Sequence, residues 1–185
     1  MKKFLLVTLI SSFIIACGGG DGGSASAGNL AETLTPAEIE AKFNLPPEPT
    51  PDMPGFDTVE GIDSNGIRGR DDVERKIAFE FYKEEEKVIQ LHALSEVHSK
   101  AVKAIESSNV ESLKEAGAEY SQYNMCYIFS HAEQGARELE TLDSHLYNTD
   151  GRDMISNSVS YDDGSVKSLD ETVSYCKSKG FNIPF

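Results

Sequence analysis

Proline limits what this chain can fold into more than any other residue, and its distribution is uneven. Five of the seven prolines fall in "PPEPTPDMP", residues 46–54, and none lies between Gly55 and Ile183. Proline has no backbone N–H and clashes with the preceding helical turn, so a proline-dense stretch is neither helix nor central strand. Residues 46–54 therefore read as an extended linker or a strap laid over a domain. The proline-free stretch after them is open to long helices, and its hydrophobic period favours them. Ile77, Phe81, Val88, Leu91, Ala101 or Val102, and Ile105 recur at steps of three and four or their sums, which reads as one helix over 71–107. "EEEK", residues 84–87, interrupts the stripe and reads as a solvated face.

"SSNVE" then breaks the pattern, with Ser108 and Glu111 spaced as a capping box. A second long helix follows, with Leu113, Tyr120, Tyr123, Tyr127, Leu139, Leu142 and Leu146 as core candidates, and "YNTDGRD" ends it. The tyrosines share one face, with Phe129 nearby, and read as core rather than as a ligand platform. A short helix is expected over 152–160. A last one is expected in "SLDETVSYCKSKG", capped by Ser168 and Glu171 and stopped at Gly180. Before the strap, Thr35, Pro36 and Glu38 mark one more short helix. No alternating run is long enough to read as a strand. The expected fold class is mainly α: a helical hairpin or small bundle with shorter C-terminal helices, preceded by a disordered tether and a Pro-rich strap. The expected organisation is 1–16 signal peptide, 17–34 tether, 35–70 short helix and strap, and 71–185 helical domain, enough for one core and not two.

The N-terminal segment carries the targeting signal. "MKK" is a basic n-region and "FLLVTLISSFIIA" an apolar run of signal-peptide length, ending in "IIAC" with small Ala16 before Cys17. This motif in this position resembles the lipobox of bacterial lipoproteins. The resemblance implies that the chain is cut before Cys17 and that Cys17 is acylated (palmitate among its chains). It also implies stable membrane anchoring, because several acyl chains hold where one holds only marginally. "GGGDGGSASAG" after it has the composition of a flexible tether. Gly18 stands where an Asp would signal inner-membrane retention, so the resemblance implies the outer membrane of a Gram-negative envelope. Loss of Lys2 and Lys3 takes the formal charge from −14 to −16. Such a charge excludes nucleic acid as a partner and suits cations or a basic protein.

Cys126 and Cys176 remain as an even pair in an oxidising compartment, which reads as a disulfide; neither has a CxxC neighbour to make it a redox thiol. The histidines are His92, His98, His131 and His145. His92 and Glu96 have zinc-ligand spacing on a helix, but two ligands fall short of a site and no HExxH occurs. No GxSxG and no P-loop occurs, and the glycine-rich run follows a signal peptide rather than a strand.

The stretch with most chemistry is "DSNGIRGRDDVE", residues 63–74. An EF-hand loop takes oxygens from positions 1, 3, 5, 7 and 9 and a bidentate Glu at 12. Counted from Asp63, this stretch offers Asp63, Asn65, the Gly69 backbone, Asp71 and Glu74 at positions 1, 3, 7, 9 and 12 as a calcium set. It departs at position 5, Ile67, and at position 6, where Arg68 replaces the turn glycine. The competing reading is a capping box, with Asp71 as N-cap, Glu74 three on, and Arg68 and Arg70 pairing with the acids. "PPEP" followed by "GIDSNGIR" and "DDVERKI" resembles a segment of assorted exported and lipid-anchored bacterial proteins without assigned function. Its usual form, "DSNGNGVRDDVE", makes a better calcium loop. That resemblance implies location more than activity.

The expectation from sequence is thus a lipid-anchored cell-envelope protein, not an enzyme, with a binding or structural role. It needs no cofactor, though calcium is a candidate stabiliser. The alternative is an acidic inhibitor or immunity-like protein that neutralises a basic partner.

Overall fold

The computed structural model describes residues 33–149, 152 and 168–184, and the expected helix over 152–160 lies outside them but for Arg152. Among the described residues the chain is helical without strands: α1 (Pro36–Phe43), α2 (Asp71–Phe81), α3 (Glu85–Glu106), α4 (Val110–Leu146) and α5 (Leu169–Ser178). Leu34 through Phe185 form one compact unit. Within it Ile39 and Phe43 of α1 share the core of the later helices, so the fold has no boundary at residue 70.

Capping chemistry sets most helix ends. Thr35 and Ser168 each form a complete capping box, with Glu38 and Glu171. The start of α4 is capped by Asn109, whose side chain accepts from the Ser112 N–H, and not by the expected Ser108–Glu111 box. Ser108 is taken up by the turn itself, at φ +53°. Past α5, Gly180 at φ +86° lets the Phe181 N–H reach the Cys176 carbonyl and the Gly180 N–H that of Lys177, a Schellman ending that buries Phe181.

Each of the two long expected helices is interrupted by a reversal. The segment 71–107 breaks at Tyr82–Glu84, and the chain folds back there. The Glu74 carbonyl lies 2.9 Å from His92 Nε2, whereas an unbroken helix would separate those residues by about 27 Å. The break falls in front of Glu84, Glu85 and Glu86, whose charge suits the N-terminus of α3. Lys87, read as part of a solvated face, is buried because the reversal turns it inward.

Within α4 the reversal is sharper. Ala132 has φ 52° and ψ −137°, and the helix doubles back into two antiparallel arms. The Tyr120 hydroxyl donates to Asp143 at 3.1 Å, a pair that a straight helix would hold about 35 Å apart. Gly135 allows the close crossing: a Cβ there would lie 3.0 Å from His131 Cβ and 3.1 Å from the Tyr127 carbonyl oxygen. The core of the resulting bundle is Val73, Ile77, Val88, Leu91, Leu94, Tyr127, Leu142 and Leu146, all nearly inaccessible.

The proline-rich segment lies over this bundle as a strap. Its prolines donate nothing, and arginines serve carbonyls in it and just after it. Arg75 donates to Pro46 at 2.8 Å, and Arg152 donates to Thr58 at 2.7 Å, Phe56 at 3.2 Å and Val59 at 3.3 Å.

Candidate functional site

The loop over residues 61–74 is wound tightly, with Gly66, Arg68 and Gly69 all at positive φ. Its side chains turn back on its own backbone. Asp63 accepts from the Gly66 N–H at 2.8 Å, Asn65 from that of Ile67 at 2.9 Å, and Asp71 from that of Ser64 at 3.0 Å. Glu74 is fully buried. One of its carboxylate oxygens accepts from Arg68 Nη1 at 2.8 Å and the other from Asn65 Nδ2 at 3.0 Å. The same Arg68 nitrogen donates to the Phe43 carbonyl at 2.8 Å, joining the loop to α1. Gly69 presses on α3, where a Cβ would meet Ser99 Oγ at 2.5 Å.

Both sequence readings of this stretch need correction. The Asp71–Glu74 capping box does not form. Arg70 holds the N-cap position without a side-chain capping bond; Asp71 stands one residue inside the helix and turns to Ser64, and Glu74 turns to Arg68. The five expected calcium ligands Asp63, Asn65, Gly69, Asp71 and Glu74 are gathered in one loop. As arranged they do not fit calcium, which takes six to eight oxygens. Both oxygens of the would-be bidentate Glu74 already accept from nitrogen donors, one of them a guanidinium. Among the described residues no group of three or more His, Cys, Asp or Glu is placed to hold a metal ion. The second arginine pairs as the sequence indicated: Arg70 grips Asp72 with two bonds, of 2.6 and 3.0 Å, and also caps the Leu146 carbonyl at the end of α4.

Beside the loop lies a cavity of about 210 Å³, lined by Glu60, Asp63, Arg70, His98, Ser99 and Lys103 among others. His98 is buried, with ring centroids 5.9 Å from Tyr120 and 5.1 Å from Tyr147. Its Nε2 and the Ser95 hydroxyl make no hydrogen bond within the described residues. Burial first, and the Arg70 charge second, push the His98 pKa down to about 4. His92 is likewise held at about 4 by burial, against the pull of its bond to the Glu74 carbonyl. That bond fixes its proton on Nε2, so His92 faces inward and is no partner for the exposed Glu96. At the cavity rim a hydrogen bond with Glu60 raises Glu106 to about 7.

A third cluster escaped sequence reading. Lys87 Nζ lies 2.7 Å from Glu138 and 2.8 Å from Glu84, and the Tyr127 hydroxyl and Gln134 amide donate to Glu138 at 2.7 and 2.8 Å. Burial works against both charges. The bonds outweigh it, raising Lys87 and lowering Glu138 from their ordinary values. The network spans α3 and both arms of α4, next to the Ala132 reversal. No spacing in the sequence joins 87 to 138, because their meeting requires that reversal.

Cys126 and Cys176 form a disulfide between the first arm of α4 and α5. Tyr123 packs edge-on against Tyr175 and Phe181 beside it. Cys17 lies outside the described residues. No described helix is long and apolar enough to cross a membrane. Comparison with protein-family models, with curated proteins and with solved structures finds no match.

Proposed function

We propose that this chain is a lipid-anchored protein of the bacterial cell envelope, on the outer membrane, whose folded body has a non-catalytic binding or structural role. The observation that carries this reading is "IIAC" directly after a basic and an apolar segment and before a glycine-rich run. The Cys126–Cys176 bond supports it, since disulfides persist in oxidising compartments and are rare in the cytosol. A body built for constant shape also supports it. Its strap is tied down by Arg75, and the buried Glu74 and Glu138 are paired with Arg68 and Lys87, which suits a scaffold that presents a surface. A second reading, an acidic inhibitor that neutralises a basic protein, draws on the formal charge of −16 left after signal removal.

The test is Cys17→Ala with cell fractionation and labelled palmitate. The wild type should take up label and partition with membranes, and the variant should lose both. Full membrane retention of the variant, with no label in the wild type, refutes the anchored reading. Copurification of a basic protein from detergent extract would favour the inhibitor.

A further inference from the structure

We propose that the second arm of α4, residues 133–146, is an exchangeable element whose partner is a second copy of this chain: α4 straightens at Ala132, and the arm of each copy seats in the bundle of the other.

The hinge is a single residue. Within Val110–Leu146 Ala132 alone departs from helical φ and ψ, and its φ of 52° is backbone that a non-glycine residue adopts only at a cost. His131, Ala132 and Glu133 include no proline, glycine or β-branched residue, so nothing in their chemistry opposes a continuous helix. Turning that one residue into helical backbone relieves the strain and joins the arms into a rod of 37 residues, about 55 Å long. A strained reversal with no loop to absorb it is the setting that invites domain exchange.

The arm's bonds to the bundle are indifferent to which chain supplies it. Glu138 lies 2.7 Å from Lys87 of α3 and accepts from Tyr127 of the first arm at 2.7 Å. Asp143 accepts from Tyr120 at 3.1 Å, and the Leu146 carbonyl from Arg70 at 2.8 Å. Each of these partners precedes Ala132, so the hinge divides the contacts cleanly, and the arm of a second copy can make all of them. The disulfide permits the exchange. Cys176 is bound to Cys126 on the first arm, so α5 stays with its own chain. In a straightened α4, Cys126 and Leu146 lie about 30 Å apart, and residues 147–168 extend to about 70 Å. In the exchanged dimer the two rods run antiparallel about a twofold axis near Ala132, the first arm of one against the second arm of the other.

The experiment is native mass spectrometry of the full-length protein purified in detergent, unfolded in urea without reductant and refolded at high concentration. The first measurement varies residue 132. The dimer fraction should rise in the order Ala132→Gly, wild type, Ala132→Thr, because glycine accepts the reversal and a β-branched residue resists it. Equal fractions in the three chains, or no dimer in any, overturn the proposal. The second measurement refolds Lys87→Met together with Glu138→Leu, one of them labelled with nitrogen-15. Exchange between these two chains unites Lys87 with Glu138 in one body and sets the two substitutions against each other in the other body, so neither charge is stranded. A dimer formed without exchange strands both. The heterodimer should therefore outnumber the two homodimers together by roughly tenfold or more. A heterodimer no more abundant than the two homodimers together, the statistical share for surfaces that meet without exchange, overturns the proposal, as does a mixture that forms no dimer or stays unfolded.

Discussion

Replacing Ala132 by glycine should stabilise this protein, although the sequence places that alanine in the middle of a helix. The structure sets Ala132 at φ 52°, ψ −137° with its side chain exposed. A non-glycine residue in such a sparsely populated region costs about 1–3 kcal/mol, and glycine adopts positive φ without that cost. Glycine also loosens the unfolded chain, which takes back about 0.4–1 kcal/mol. No buried surface is lost, because the methyl faces solvent. The net expectation for Ala132→Gly is a gain of about 1 kcal/mol, or roughly 2–4 °C in melting temperature for a chain of this size. Ala136, exposed and helical four residues on, is the control: Ala136→Gly should lose about 1 kcal/mol, the ordinary cost of glycine inside a helix. Urea unfolding followed by circular dichroism measures both. If Ala132→Gly loses as much as Ala136→Gly, then α4 is unbroken at Ala132, and the antiparallel arms built on that reversal fall with it.

Lys87→Met should destabilise by about 3–5 kcal/mol, because it strands the Glu138 carboxylate in the bundle; Lys87→Met with Glu138→Leu should recover most of that in urea unfolding, and a double variant as weak as the single would refute the pairing. Stability should also fall in mild acid. His92 and His98 have folded pKa values near 4 against an ordinary 6.5, so the unfolded chain binds more protons between those limits. Their contribution, on the order of 3 kcal/mol each, is complete above pH 6.5 and lost as pH falls toward 4. Glu138, held low, adds its own loss only below the carboxylate range, and the exposed Glu60–Glu106 pair works in the opposite direction. Melting curves from pH 7.5 to 4.5 check this, and a flat profile across that interval would refute the burial of both histidines.

What the sequence made legible was local. Thr35 and Ser168 announce their capping boxes by spacing alone, the prolines mark the strap, and the stripe of Ile77, Val88, Leu91, Tyr120, Tyr127, Leu142 and Leu146 is core in the structure. The two reversals were not legible, for a physical reason. Hydrophobic period is preserved across a fold-back when both arms face one core, and neither Tyr82–Glu84 nor Ala132 carries a proline or glycine at the break. Gly135 is the trace that remained, a glycine in a helical pattern where two backbones come close. The candidate site was half legible: the acids of the 63–74 loop were placed together, but spacing cannot show that Asp63, Asn65 and Asp71 turn back on the loop's own N–H groups. The pairing of Arg68 with an acid was legible too, but that its partner is the buried Glu74 follows only from the winding of the loop.

The disulfide also has a consequence for covalent topology. Cys126 and Cys176 close a ring of chain, and the whole second arm of α4, Ala132 and Gly135 included, belongs to that ring. A single peptide-bond cut anywhere between the two cysteines opens the ring without releasing a fragment. A nicked molecule therefore keeps its full mass under non-reducing conditions and divides in two only on reduction. Glu138, Leu142 and Leu146 then stay within reach of Lys87 and the core after such a nick, so damage in the stretch between α4 and α5 would leave the bundle able to close again.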